Sequence, residues 1–273
     1  MKYTSIFTLT LLAAVPALAL NDISWVSQRS GSDSPNTLCT TTSPCRTFAW
    51  AYNQTNSGGI IKAMDAGEYG IIFITKPITI DGNGVGAAIE VPSGSTAGLF
   101  VTSSAGFVEI RNLAIHVPTG CGCEGIYSNS NVSIEDVSIT GAPTYGVYVD
   151  SGSTATIHGL TVTGATSYGI YVQNTTATIG DSIIRYSANG IAVFGFFSTT
   201  QVLIERSKMI SNAIGLVVNN NGAAATARIS DCVITGNTTG VSTVNGGQII
   251  TFRNNAWAGN TTDGATPFSV SLK

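Results

Sequence analysis

A short repeat runs through most of the chain and restricts the folds that it can adopt. A glycine followed by an aliphatic residue returns at intervals of 21, 23, 21, 25 and 25 residues, at Gly125-Ile126, Gly146-Val147, Gly169-Ile170, Gly190-Ile191, Gly215-Leu216 and Gly240-Val241. A period of this length is typical of solenoids, because one repeat cannot bury its apolar side alone whereas stacked repeats bury it in continuous columns. The repeat therefore predicts a stack of similar coils along one axis.

Each repeat contains three short segments in which apolar and polar residues alternate. One follows the glycine, and a second ends at an apolar residue that recurs at Ile110, Ile134, Ile157, Ile179, Ile204, Ile229 and Phe252. A third apolar residue comes five positions later, and alternation of this kind is typical of β-strands. Leucine-rich repeats would carry Leu and a helical segment, and propeller blades need a period of about 40 or more. We therefore predict an all-β parallel β-helix with three sheets.

A tight corner is expected two residues after the second apolar mark. This position is occupied by Asn112, Asp136, Gly159, Asp181, Arg206, Asp231 and Asn254. Asn, Asp and Gly tolerate left-handed backbone angles, and the Asn and Asp side chains also bond to nearby backbone. The column thus predicts where one strand turns into the next.

The first 19 residues have the form of a secretory signal peptide. Lys2 precedes an apolar stretch from Ile6 to Leu12, and Ala17-Leu18-Ala19 fits a small-x-small cleavage site. The apolar stretch is too short to span a bilayer, and no other segment approaches that length. We expect a secreted or periplasmic protein whose mature chain has no membrane span.

Residues 20–59 are predicted to contain one helix that caps the stack, and residues 60–273 to form the β-helix. Ser43-Pro44 fits an N-cap followed by proline at the first helical position, and Gly58-Gly59 would end the helix. Apolar residues recur between them at helical spacing, at Phe48, Ala51 and Tyr52. Such a helix would cover backbone that could otherwise pair with another chain.

The five cysteines are interpreted through the expected export, which permits disulfides. Cys39 and Cys45 flank a short polar loop, and we predict a disulfide between them. Cys121 and Cys123 fit a metal site poorly, because no Cys or His pair follows at ligand spacing, and their state is left open. Cys232 occupies an inward position and is predicted to be a buried thiol that acts as a small apolar residue. No metal or cofactor is predicted.

Composition limits the classes of partner. Charged residues make up only 10% of the chain and the formal net charge is −3. The Lys and Arg residues are scattered, so no positive face is expected for phosphates, and nucleic-acid binding is excluded. The same scarcity disfavours direct electrostatic capture of acidic polymers, although a calcium-bridged complex stays open.

Two segments resemble a known family. The stretches Ser43-Pro44-Cys45-Arg46-Thr47-Phe48 and Ile78-Thr79-Ile80-Asp81-Gly82, together with the repeats, are similar to small bacterial secreted proteins with a single-stranded right-handed parallel β-helix, in the pectate-lyase-like superfamily. The resemblance covers roughly residues 22 to 264. It implies a right-handed coil and a substrate, if any, along the outward face of the strand that begins at the glycine mark. That superfamily includes lyases, glycosidases, esterases and binding or adhesion proteins, so it does not determine the activity.

Alternation along that strand places a row of polar and aromatic residues outward. The predicted ligand-binding set is Tyr127, Tyr148, Asp150, Tyr171 and Gln173. Aromatic rings suit the apolar faces of sugars, and the carboxylate and amide suit their hydroxyls. The alternative is a stacked aromatic column that only stabilises the sheet through cross-strand contacts.

Catalytic candidates are few. Hydrolysis of a glycosidic bond asks for two carboxyls about 5–10 Å apart, and this outward face is expected to offer only Asp150. Arg111, Glu135 and His158 should be neighbours on successive coils, which brings a carboxylate next to an imidazole. The alternative is a solvated column of charges on a convex corner that offers no pocket.

Three functions therefore stay open. The first is a non-catalytic protein that binds polysaccharide along an exposed tyrosine row. The second is a polysaccharide lyase or hydrolase, with Asp150 as its acidic group. The third is a structural or adhesive solenoid without a small ligand.

Overall fold

The computed structural model describes residues 20–36 and 38–270, so the predicted signal peptide lies outside the described residues. The described part contains one helix, α1 (Phe48–Gln54), and 29 short strands. The strands are β1 (Asn21–Val26), β2 (Thr55–Ala63), β3 (Gly67–Glu68), β4 (Ile72–Ile74), β5 (Ile78–Asp81), β6 (Ala87–Glu90), β7 (Ala97–Val101), β8 (Phe107–Arg111), β9 (Ala114–Val117), β10 (Glu124–Ser128), β11 (Asn131–Glu135), β12 (Ser138–Gly141), β13 (Tyr145–Val149), β14 (Thr154–His158), β15 (Thr161–Thr163), β16 (Tyr168–Gln173), β17 (Thr176–Gly180), β18 (Ile183–Arg185), β19 (Asn189–Gly195), β20 (Thr200–Glu205), β21 (Lys208–Ile210), β22 (Ile214–Asn220), β23 (Ala225–Ser230), β24 (Val233–Thr235), β25 (Thr239–Val244), β26 (Gln248–Thr251), β27 (Ala256–Trp257), β28 (Thr262–Gly264) and β29 (Phe268–Ser269).

The strands form three parallel sheets that wind around one core. Sheet A contains β1, β2 and every third strand from β5 to β29, sheet B every third strand from β3 to β27, and sheet C every third strand from β4 to β28. Each coil contributes one strand to each sheet and pairs in parallel with the coils above and below it. The predicted three-sheet parallel β-helix is confirmed.

The core consists of the predicted aliphatic columns. In sheet A the second apolar mark is buried from Ile110 to Ile229, and in sheet C the residue after each glycine is buried from Ile126 to Val241. Full burial of one such side chain contributes about 1.5–3 kcal/mol relative to exposure. Repetition of this contribution in every coil stabilises the stack along its axis.

The glycine mark has a steric cause. A Cβ built on Gly125 would lie 2.6 Å from the carbonyl oxygen of Gly146 in the next coil and 2.7 Å from Cγ2 of Ile139 in sheet B. Gly146 is crowded in the same way by Gly169 and by Val162. The glycine therefore marks the point where sheet C starts against the side chains of sheet B.

The corner between sheets A and B is also confirmed. Its residues have positive φ angles, from 45° at Arg206 to 64° at Gly159, and the Asp136 amide donates to the carbonyl of His158 in the next coil at 3.0 Å. The prediction was wrong in the last repeat, where Arg253 rather than Asn254 takes the left-handed conformation, with a φ of 67°. There the Asn254 side chain instead donates to the Ser230 hydroxyl at 2.9 Å.

Helix α1 begins later than predicted. Its N-cap is Thr47 and not Ser43, and the Thr47 hydroxyl accepts a hydrogen bond from the Trp50 amide at 3.1 Å. The prediction was wrong because Cys45 lies in extended backbone beside β1, where its amide donates to the Trp25 carbonyl at 2.9 Å. A residue held in a strand-like segment cannot also start a helix.

The helix ends at Gln54, and Gly58-Gly59, the predicted stop, lies inside β2. Phe48 is buried with its ring 5.0 Å from that of Tyr69, so α1 packs on the first coil as expected. Sheet A already starts with β1, so the stack includes part of the segment that the sequence assigned to the cap.

The cysteines form two disulfides. The predicted bond between Cys39 and Cys45 is confirmed, and Cys121 and Cys123 are also linked to each other. Cys232 is a buried free thiol as predicted, and burial raises the pKa of its thiol. Its surroundings are less apolar than expected, because Ser207 occupies the same position one coil earlier and the Cys232 thiol lies 3.4 Å from the Ile204 carbonyl oxygen.

Candidate functional site

An unbroken column of aromatic rings lies on the outward side of sheet C. Phe73, Phe100, Tyr127, Tyr148 and Tyr171 occupy the same register on successive strands. The centroids of neighbouring rings are 4.7–5.1 Å apart. We call this column the aromatic face.

This column contains two rings, Phe73 and Phe100, besides the three predicted tyrosines. Phe100 follows Gly98-Leu99, which is the same glycine mark one coil earlier, so that signal was present. Phe73 has no such mark, because β4 contains only Ile72–Ile74 and no glycine precedes Ile72 directly. Its place on the face follows from strand pairing alone.

Exposure changes along the aromatic face. Phe73 is 58% exposed, the next three rings are partly buried, and Tyr171 is only 6% exposed. The prediction of an exposed Tyr171 was wrong, because the rings of Tyr145, Tyr168 and Phe194 surround it at centroid distances of 5.0–5.4 Å. Tyr127 and Tyr148 point outward as predicted and keep part of their surface accessible.

The predicted polar residues form one network with the tyrosines. The Gln173 amide donates to Asp150 Oδ1 at 2.7 Å and to the Tyr148 hydroxyl at 2.5 Å, and it accepts from the Tyr171 hydroxyl at 3.1 Å. The Tyr127 hydroxyl lies 3.4 Å from Asp150 Oδ2. All five predicted ligand-binding residues therefore lie together. Burial raises the pKa values of Tyr148 and Tyr171, which keeps both hydroxyls protonated.

A second carboxyl, Glu124, lies on the same side of sheet C and was missed. It is the first residue of β10, in register with Ala97, and its Oε2 is buried without a hydrogen-bond partner. Burial raises the pKa of Glu124 to about 7. Burial is the main cause of the raised pKa values of Tyr127 and Tyr145, and the Glu124 charge raises both further, as the Asp150 charge does for Tyr127. The predicted site residues all follow a glycine mark, whereas Glu124 directly precedes one.

A cleft of about 550 Å³ opens at the Phe73 end of the aromatic face. It is lined by Ala49 of α1, by Ile71 to Phe73, by Gly94 to Ala97, and by Phe100. The Glu124 amide donates to the Thr96 carbonyl in the cleft wall at 2.8 Å. Phe73 and Phe100 belong both to the cleft lining and to the aromatic face, so these two form one continuous surface with Glu124 beside it.

The candidates on the corner of sheet A do not form an acid–base pair. Glu135 is in register with Arg111 and His158 as predicted. However, His158 Nε2 lies 2.9 Å from Asp181 Oδ2, and the Glu135 carboxylate accepts from the Ser133 hydroxyl at 3.3 Å. His158 is half exposed and its partner carboxylate is shared with an arginine, so these side chains lie on an open surface and not in a pocket.

The described residues contain neither a candidate metal centre nor a membrane-spanning helix. No group of three or more His, Cys, Asp or Glu side chains is arranged to hold a metal ion there. Within the same residues, no helix is long and apolar enough to cross a membrane.

Comparison with known proteins agrees with this architecture. Among solved structures, the chain is similar to pectate lyase Pel9A, with a TM-score of 0.58 and 15% identity over 91% of this chain and 77% of that chain. It is also similar to the GH136 lacto-N-biosidase from Eubacterium ramulus, with a TM-score of 0.54 and 10% identity over 92% of this chain and 68% of that chain. Identities this low show a shared fold alone.

A search of curated protein sequences gave no match. The family model described as "Right handed beta helix region" matches residues 79–257, which include the glycine marks and the corner column. The chain therefore belongs to the right-handed β-helix family.

Proposed function

We propose that this protein binds polysaccharide along the aromatic face and does not cleave it. The observation that carries the proposal is the continuity of the surface, in which a column of rings leads from an exposed phenylalanine in a cleft to the network around Asp150. Ligand sites combine apolar and aromatic walls with a few fixed polar groups. Sugars offer both partners, because their C–H faces are apolar and their edges carry hydroxyls.

The dimensions of the face favour a polymer. Parallel strands lie about 4.8 Å apart, so five rings on successive strands extend over about 19 Å along the solenoid axis. A ligand of that length contains several sugar units. Gln173 already fixes the Asp150 carboxylate by a hydrogen bond of 2.7 Å, so Asp150 can accept from sugar hydroxyls without first becoming ordered.

The separation of the two carboxyls favours binding without cleavage. Glu124 directly precedes one glycine mark, whereas Asp150 lies four residues after the next. Five positions along a strand correspond to about 16 Å between the backbones of the two residues, and the Asp150 carboxylate is already held by Gln173 and the Tyr127 hydroxyl. This backbone spacing favours a wider separation than the roughly 5–10 Å between the two carboxyls of glycosidases.

The family and the expected export support the same function. The names of the two structural neighbours, a pectate lyase and a lacto-N-biosidase, both refer to carbohydrates. A secreted or periplasmic protein with two disulfides would meet polysaccharides outside the cytoplasm. These points support the ligand class, whereas the aromatic face supplies the site.

A purely structural role of the rings is the second candidate, and the burial of Tyr171 favours it at that end of the face. Binding to a panel of immobilised polysaccharides separates the two, with Phe73→Ala and Tyr148→Ala as test variants. Phe107→Ala is the control, because Phe107 is equally exposed, at 57%, but lies on sheet A.

We expect each test variant to bind about fivefold or more weakly, since an aromatic contact contributes about 1 kcal/mol, while Phe107→Ala binds like the wild type. Release of reducing ends or of unsaturated products is measured in the same samples. A wild type that binds nothing, or one that cleaves what it binds, would overturn the proposal. Equal binding by Phe73→Ala and Phe107→Ala would also contradict it.

A further inference from the structure

The aromatic face has acidic groups but no basic ones. Between Lys76 and Arg185 the sequence contains one Lys or Arg, Arg111, and β7, β10, β13 and β16 with their loops contain no Lys, Arg or His. Arg111 belongs to sheet A, where its guanidinium lies 3.1 Å from Asp81 and 2.6 Å from Glu109. No cation from this half of the chain faces a ligand on sheet C.

The one lysine beside the cleft is turned away from it. Lys76 follows β4, but its ammonium donates to the carbonyls of Tyr52 and Thr55 at 2.8 and 2.5 Å. It also lies 4.5 Å from the centroid of the Tyr52 ring. Its charge is therefore satisfied by the end of α1 and the start of β2.

In contrast to the Lys76 ammonium, the buried Oε2 of Glu124 has no hydrogen-bond partner. Tyr127 on its own strand and Tyr145 and Tyr148 on β13 are the titratable groups that face it, with Asp150 beyond them. On the β7 side, residues 92–101 contain no titratable side chain. Its buried Oε2 has no donor, so the protonated acid suits this environment better than the carboxylate does.

We infer that the ligand of the aromatic face is a neutral glycan, and that Glu124 binds it in its protonated form as a hydrogen-bond donor. The inference rests on the proposed function and names its ligand class. A polyuronate would bring carboxylates close to Asp150 and Glu124 without a cation from the protein, which is unfavourable for binding. Glu124 as a whole is only partly buried, so its protonated carboxyl can instead donate to a neutral sugar hydroxyl.

This role gives the binding a defined pH dependence. A ligand that covers Glu124 removes more water from it, so the pKa of Glu124 in the complex lies above the value of about 7 in the free protein. Affinity is then constant below pH 6 and falls as pH rises through 7, by up to about tenfold per pH unit. The neighbouring tyrosines, whose pKa values are raised, stay protonated throughout this range.

The experiment uses two chemically matched polymers and the neutral members of the panel. Polygalacturonate and its carboxyl-reduced form share one backbone and differ in charge. Binding is measured from pH 5.5 to 8.5, with calcium and with a chelator. The variants are Glu124→Gln and, as a control, Asp231→Asn, which keeps an Asn-compatible left-handed corner on the far side of the coil.

We expect neutral polymers to bind, and polygalacturonate to bind at least about tenfold more weakly than a neutral polymer under all conditions. The affinity of the wild type for the neutral polymer should fall about fivefold from pH 6.5 to pH 8.5. Glu124→Gln should bind independently of pH in that range, and Asp231→Asn should behave as the wild type does. Tighter binding of polygalacturonate, with or without calcium, would overturn the inference but leave the proposed function intact if Tyr148→Ala still weakens it. An unchanged pH profile in Glu124→Gln would overturn the role of Glu124. Absence of binding to every polymer would overturn both proposals.

Discussion

Replacement of Glu124 by Gln should make the free protein more stable at neutral and alkaline pH. The Glu124 carboxyl loses water on folding, and its buried Oε2 gains no hydrogen bond in return. Because its folded-state pKa is raised above the unfolded value, the folded state keeps the proton to higher pH. The wild type therefore loses stability as pH rises from about 4.5 to about 7, and the loss stays constant above that.

The size of the effect follows from the two pKa values. Burial raises the pKa of Glu124 from 4.5 to about 7, and a difference of about 2.5 corresponds to about 3.4 kcal/mol for a group with no access to water. The side chain is only partly buried, so solvent screens part of this cost. We expect Glu124→Gln to be about 1–2 kcal/mol more stable than the wild type at pH 8.

Urea denaturation of both proteins at pH 4, 6 and 8 measures the difference in free energy of unfolding. Groups that titrate alike in the two proteins cancel, and Asp231→Asn controls for the loss of one carboxylate. The difference should be near zero at pH 4 and largest at pH 8. A constant difference at all three values, or a variant that is less stable at pH 8, would refute the account of Glu124.

Two further predictions concern the scaffold. Asp65→Asn should lower the free energy of unfolding by about 2 kcal/mol at pH 7, because the Asp65 carboxylate accepts four hydrogen bonds that tie the segment after β1 to the second coil. These bonds outweigh the effect of burial and lower the pKa of Asp65 to about 2. Their contribution to the free energy of unfolding is therefore present above pH 3.8 and is lost as pH falls towards 2. If the melting temperature of Asp65→Asn differs from that of the wild type equally at pH 7 and pH 2, this reasoning is contradicted. Gly146→Ala should lower the free energy of unfolding by about 1–3 kcal/mol, because its Cβ would lie 2.6 Å from Val162 Cγ1. The control Gly152→Ala lies in an open turn without such a neighbour and should suffer only the strain of its positive φ. Equal melting temperatures of the two variants would show that the glycine mark does not depend on close packing.

The regular part of the fold could be predicted from the sequence because every coil solves the same packing problem. Ile110 and its equivalents recur wherever a sheet A strand faces the core, and Asp136 and its equivalents recur wherever that strand turns. Because the same packing requirement recurs in every coil, the same residue types recur in the sequence with the period of the coils. The departure at Arg253 arises because Thr251, and not Phe252, is in register with Ile229, which moves the corner by one residue.

The candidate site could be predicted only in part, because it depends on contacts between unlike residues. Alternation placed Tyr171 outward correctly, but its burial results from Tyr145 and Phe194, whose rings approach from other positions. Glu124 stands where the next two coils have Tyr145 and Tyr168, and nothing in its own segment indicates that its Oε2 lies buried without a partner. Such features appear only when neighbouring coils are considered together.

The most direct test of the account is a crystal structure of the protein with the neutral oligosaccharide that binds best. We predict that the sugar chain lies along the solenoid axis on sheet C, with rings over Phe73, Phe100 and Tyr127 and with hydroxyls within hydrogen-bond distance of Glu124 and Asp150. An oligosaccharide bound on sheet A or sheet B, or one that leaves the aromatic face uncovered, would contradict it.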